Sequence, residues 1–147
     1  MLYLHRLMTP FARLLEALVF TPGRSAKLAL LREYFATAPD PDRGWALAAL
    51  CGGLELPHLT ASVFRGLAEE RVDPELFRLS YDFVGDLAET VSLIWPGGGA
   101  DGAAPPLGEV VETLQAASRA DRAAVVARLF DRMGPSERFA LVKLCAG

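Results

Sequence analysis

The chain has 147 residues, of which 52% are hydrophobic, 22% charged and 9% aromatic. This describes one globular domain with enough apolar material for a core, and it excludes a disordered or collagen-like chain. The formal net charge of −3 argues against a uniformly basic nucleic-acid binder, and no apolar run is long enough to span a bilayer.

The charge is segregated. Residues 1–35 carry Arg6, Arg13, Arg24, Lys27 and Arg32 against Glu16 and Glu33, and residues 119–147 carry six cations against three acids. Residues 69–90 carry seven acids against Arg71 and Arg78. A basic face on an acidic protein is therefore open.

In chain order, MLYLHRL is too short and too uncharged at its tip for a signal peptide, and residues 1–8 read as a loose extension. Thr9-Pro10 reads as N-cap and first helical residue, followed by Phe11, Leu14, Leu15 and Leu18 at helical spacing. Ser25 is the expected N-cap of a second helix marked by Leu28, Leu31, Phe35 and Ala38 and ended by Pro39. Asp40-Pro41 opens a third through Trp45 and Leu50, stopped by Gly52-Gly53. Val63, Phe64 and Leu67 mark a fourth. Asp73-Pro74 opens a fifth, closed by Gly85. Asp86-x-x-Glu89 is a capping-box-like start of a sixth, ending at Trp95-Pro96. The run PGGGADGAAPP, residues 96–106, reads as a flexible linker. Leu107 to Leu114 gives a seventh helix. Ser118-x-x-Asp121 caps an eighth through Phe130, and Gly134-Pro135 starts the last. No segment alternates as a strand does. The expected fold is all-α, with about nine short helices.

The chain repeats itself. PDRGWALAALCGG, residues 41–53, aligns at constant offset with PSERFALVKLCAG, residues 135–147: Pro41 with Pro135, Trp45 with Phe139, Leu47 with Leu141, Cys51 with Cys145. Each copy follows a Ser-containing basic helix start, RSAKLALLREYF at 24–35 and SRADRAAVVARLF at 118–130. Two copies are too few for a solenoid but fit a pseudo-twofold domain with halves 9–95 and 107–147. Such helix starts can bind phosphate, because a helix N-terminus presents unpaired amides and a nearby cation adds charge. The same residues also suit an ordinary solvated loop.

Other chemistry lacks a motif. Two Cys and two His lie far apart without ligand spacing, and both thiols, Cys51 and Cys145, are expected in the core. His5 and His58 are isolated, and His58 reads as a surface or capping residue. Asp82, Asp86 and Glu89 are explained by capping and a solvated face. The glycine run lacks the Lys-Ser/Thr of a phosphate-binding loop. Trp45, Trp95, Phe64 and Phe77 read as core.

Taken together, FTPGRSAKLALLREYF, PDRGWALAALCGGLELP, YDFVGDLAETVSLIWP and PSERFALVKLCAG resemble, in this order, the N-terminal DNA-binding region of ATP-dependent DNA ligases. The similarity spans roughly residues 8–147 and is to the bacterial type associated with repair of cisplatin-like damage. The resemblance implies an all-helical, pseudo-symmetric module that binds nicked double-stranded DNA across the minor groove through sugar-phosphate, independently of sequence. It implies a role in DNA repair, recombination or replication in a cytoplasmic, nucleoid-associated protein. The positions it marks as DNA-binding are Arg24, Ser25, Lys27, Gly52, Gly53, Gly85, Ser118, Arg119 and Arg122. Its partners would be the adenylation and OB domains of a parent ligase, which would use ATP and Mg2+. This chain lacks the Lys-x-Asp-Gly that accepts AMP, since its two lysines read Lys27-Leu-Ala-Leu and Lys143-Leu-Cys-Ala. No cofactor is expected here, and the expectation is a piece of a ligase without a catalytic centre. The alternative reading, carried by the net negative charge and the acidic 69–90 stretch, is a helical protein-interaction module without nucleic-acid binding.

Overall fold

The computed structural model describes residues 8–97 and 104–146. Residues 1–7 of the expected extension, 98–103 of the expected linker, and Gly147 of the second repeat copy lie outside the described residues. Among the described residues the fold is all-α, with nine helices: α1 Thr9–Phe20, α2 Arg24–Thr37, α3 Asp42–Leu50, α4 Ala61–Arg71, α5 Pro74–Val84, α6 Leu87–Ile94, α7 Leu107–Ala116, α8 Arg122–Asp131 and α9 Pro135–Ala146.

Several boundaries follow the expected capping chemistry. Asp73 accepts from the Glu75 amide at 2.9 Å and Asp86 from the Glu89 amide at 2.8 Å, so each satisfies an otherwise unpaired donor. Others shift. α1 starts at Thr9 with Met8 as its cap residue, and the Thr9 hydroxyl points instead to Glu137 at 3.3 Å. α2 starts one residue before Ser25, after Gly23 at φ 92°, a left-handed backbone that favours glycine. The eighth helix is preceded by Asp121, while Ser118 lies one turn earlier.

Two expectations are corrected at the described ends of the excluded segments. Met8 is fully buried and its amide donates to the Pro105 carbonyl at 2.9 Å, so Met8 belongs to the core and not to a loose extension. Ala104 is buried in the same cluster, which fastens the end of the expected linker to the start of α1. Apolar Met and Ala side chains at these points gain more from burial than the chain gains from solvent freedom.

The larger core cluster joins α4, α5, α6, α8 and α9, with Phe64, Phe77, Trp95 and Phe130 at its centre. A smaller cluster joins α1, α2, α3 and α7 around Phe11, Leu14, Tyr34, Ala46, Leu107 and Val111. α1 and α7 face both: Ala12, Val110 and Leu114 enter the larger cluster, while Phe11, Leu14, Leu107 and Val111 enter the smaller. Helix packing is reciprocal. α1 packs on α2 and on α9, whereas α7 packs on α8 and on α3. Each repeat copy thus leans its last helix on the helix that leads into the other copy. α4, α5 and α6 pack among themselves; α4 also packs on α8 and α9, and α6 on α9.

Two buried charges join these pieces. The Arg138 guanidinium, in the first turns of α9, donates to the carbonyls of Phe130 (3.1 Å), Ser92 (3.3 Å) and Trp95 (3.4 Å), and to that of Gly97. It gathers the carbonyl ends of α6 and α8, where the helix dipoles favour a cation. Burial pulls its pKa down, and Asp131 and Glu137 oppose that pull. Asp42, in the first turn of α3, does the converse. Its carboxylate accepts from the amides of Leu107 (3.2 Å) and Gly108 (2.8 Å) and caps α7 from another helix. Gly108 suits this approach, because a Cβ there would lie 3.1 Å from the Asp42 carboxylate and 3.3 Å from Trp45.

The two cysteines are not equivalent. Cys51 is exposed just beyond α3, which corrects the expectation that it lies in the core. α3 buries little besides Asp42 and Ala46 and turns its end to solvent. Cys145 is half-buried in α9, and burial pushes its thiol up to about 12. Trp45 is half-buried against the smaller cluster, while Trp95 is buried and donates its indole N–H to Asp131 at 2.9 Å.

Replacing Arg138 with Met should destabilise the chain by about 3 kcal/mol or more, because several buried carbonyls lose their donor. Urea unfolding measures this, and a change under about 1 kcal/mol would refute the assigned role. Asp42 gives a pH signature. Burial raises its carboxyl above the ordinary 3.8, against the pull of the Gly108 and Leu107 amides. The folded chain therefore holds this proton to higher pH than the unfolded chain, and the Asp42 contribution to stability falls as pH rises from 3.8 through the folded value. The unfolding free energy of wild type minus that of Asp42→Asn should decrease across that window. A rising difference would mean that the amide bonds outweigh burial.

Candidate nucleic-acid interface

The residues marked by the resemblance fall at four places: the start of α2, the end of α3, the α5–α6 turn and the α7–α8 turn. Their chemistry differs from place to place.

At the start of α2, Arg24, Ser25 and Lys27 are all exposed. Pro22-Gly23 forms the approach, and Gly23 leaves the helix without a side-chain cap. The first turn holds no acid. The positive end of a 14-residue helix thus meets solvent beside two cations that form no ion pair among the described residues. α2 itself is shallowly seated: Tyr34 is its one buried residue, and Leu28 is half-exposed rather than part of a core stripe. Burial, with the nearby Asp42 charge, raises the Tyr34 phenol to about 12, so it stays neutral and packs edge-on against Phe11.

The α7–α8 turn is built differently. The Ser118 hydroxyl donates to the Asp121 carboxylate at 2.8 Å and also receives the Asp121 amide at 3.3 Å. The tip therefore carries its own anion. Arg122 is half-buried, with its Nε donating to the Ala117 carbonyl at 3.3 Å and its Nη1 to the Pro57 carbonyl. It ties the turn to the segment before α4. Arg119 is exposed and forms no ion pair among the described residues.

The three glycines end helices. The Gly53 amide donates to Ala48 at 2.8 Å and the Gly52 amide to Ala49 at 3.3 Å, closing α3. Gly85 sits at φ 82° and donates to Tyr81 at 2.7 Å, closing α5. The Gly52 and Gly53 amides therefore both have carbonyl partners within α3, and neither is a free main-chain donor. Gly85 adjoins Asp86, whose carboxylate pairs with Lys143 at 3.1 Å.

Sequence reasoning thus grouped nine positions that the structure divides. Arg24, Ser25, Lys27 and Arg119 are surface groups open to a ligand. Ser118 and Arg122 bond internally, and the glycines terminate helices. The buried Asp42 and Arg138 were not singled out. Their signal was a charge within an apolar helix pattern, and nothing in the sequence pointed to the helix ends they meet. Among the described residues no group of three or more His, Cys, Asp or Glu side chains could hold a metal ion, and no helix is long and apolar enough to cross a membrane.

Replacing Arg122 with Ala should cost about 1–2 kcal/mol through its lost carbonyl bonds. Replacing Arg24 or Lys27 with Ala should change stability by less than about 0.5 kcal/mol. Urea midpoints compare the three, and equal losses would contradict the division. Comparison with protein-family models, with curated proteins and with solved structures finds no match.

Proposed function

We propose that this chain binds the backbone of nicked duplex DNA, independently of sequence, as the DNA-binding module of an ATP-dependent DNA ligase. The observation that carries the reading is the start of α2. There an uncapped helix end, an exposed hydroxyl and two cations without an ion pair among the described residues converge, in one of the stretches that carry the resemblance to the ligase module.

In this reading the amides of the first turn and the Ser25 hydroxyl donate to phosphate oxygens, and Arg24 and Lys27 replace condensed counterions. Arg119 adds a further cation from the α7–α8 turn. Contacts of this kind fix position on a duplex and carry no base information. Nucleotide transfer, with ATP and Mg2+, belongs to a catalytic core outside this chain. The module would raise the local concentration of duplex beside that core.

A second reading is a protein-interaction module. It is favoured by the exposed apolar residues of α5, set in the acidic part of the chain.

Binding to nicked duplexes of unrelated sequence, titrated with salt, tests the first reading. The Arg24→Ala/Lys27→Ala double variant should bind every duplex more weakly, and the slope of log K against log salt should fall by about 2. A flat salt dependence in the wild-type chain, or a loss confined to one sequence, would favour the second reading.

A further inference from the structure

α5 carries apolar residues on two sides. Phe77 and Tyr81 turn inward, and Arg65 from α4 stacks over the Tyr81 ring at 5.1 Å. On the other side Leu76, Leu79 and Phe83 stand out at 53%, 53% and 92% exposure. Their spacing of three and four residues makes them one stripe along the helix, about 10 Å long at 1.5 Å per residue. Among the described residues nothing covers it, and a contiguous apolar stripe exposed in this way marks an interaction surface.

The surrounding charge identifies what covers it. Residues 61–95 hold seven acids and three arginines, a net −4, while the remainder of the chain nets +1. The three arginines are engaged: Arg65 on Tyr81, Arg71 over the Trp95 ring at 5.0 Å, and Arg78 beside Glu75 (3.8 Å) and Asp82 (3.7 Å). Glu75 and Asp82 flank the stripe on one side by helical position, between it and the groove that α5 forms with α4. Their pairs with Arg78 are long and exposed, so an incoming cation exchanges with them at little cost. A second copy of this chain would bring the same −4 against itself, and an anionic lipid surface or nucleic acid is repelled likewise. A straight, two-turn stripe without an adjoining sheet edge fits a helix lying alongside it.

We infer that the Leu76–Leu79–Phe83 face of α5 is the docking surface for a basic amphipathic helix of another protein segment. Apolar residues of that helix cover the stripe, and its Lys or Arg residues pair with Glu75 and Asp82. This goes beyond the DNA reading and uses none of its residues.

The probe is a fluorescein-labelled amphipathic peptide of about 18 Leu and Lys residues, with Leu at i, i+3, i+4 and i+7, and its counterpart with Glu for Lys. Fluorescence anisotropy with the full chain should show the Lys peptide binding with a dissociation constant near about 10 μM, and Phe83→Ser should weaken it about tenfold. Leu76→Ser is the second apolar variant, and circular dichroism checks both for folding. Glu75→Lys/Asp82→Lys should reverse the preference and bind the Glu peptide. The inference is overturned if the Lys peptide does not bind, if Phe83→Ser binds it as wild type does, or if both peptides bind alike. It is also overturned if sedimentation without peptide shows a wild-type dimer that Phe83→Ser abolishes, which would make a second copy the occupant. DNA binding by Phe83→Ser should equal wild type, so failure here and failure of the DNA reading are separable.

Discussion

The buried guanidinium of Arg138 is the contact on which the larger core depends. Short helices have many ends for their length, and every end leaves unpaired backbone groups. Where α6 and α8 finish beside α9, water is excluded and their last carbonyls need a donor from within the protein. Arg138 supplies a planar fork that reaches carbonyls of both helices and of Gly97 at once. Asp42 solves the mirror problem at the start of α7. Anion at amide end, cation at carbonyl end: both obey the helix dipole, and both lie in the opening turns of a repeat copy.

The repeat and its architecture therefore tell different stories. By alignment Asp42 faces Ser136, and Arg138 faces Gly44, so neither buried charge has a counterpart in the other copy. The helix pattern recurs, but the environments do not. α3 lies at the edge with Cys51 and Leu47 exposed, whereas α9 runs through the centre and buries Phe139, Ala140, Leu141 and Val142. α9 is covered because α1, α4 and α6 pack against it.

The same asymmetry governs the surface. The start of α2 stands clear with bare amides, while the α7–α8 turn is locked by the Ser118–Asp121 bonds and by Arg122 reaching Pro57. One tip is electropositive, and the other carries its own carboxylate. Elsewhere α5 sets an apolar stripe among acids. Segregated charge in the linear sequence thus becomes two surfaces of opposite character on one small domain.

The sequence by itself determined which segments are helical and much of how they start and stop. Apolar spacing of three and four residues, Asp73-Pro74, Asp86-x-x-Glu89 and Gly85 act over one or two turns, and local hydrogen bonds enforce them wherever the helix lies. The basic start of α2 was legible for the same reason. Tertiary structure alone decided that Met8 and Ala104 are anchored, that Cys51 is exposed while Cys145 is half-covered, and that Arg122 bonds inward while Arg24 does not. It also decided that Asp42 and Arg138 meet helix ends remote in sequence. Each of these depends on which helix packs beside which. That choice is fixed by the burial of whole faces against one another, a long-range condition that no window of a few residues contains.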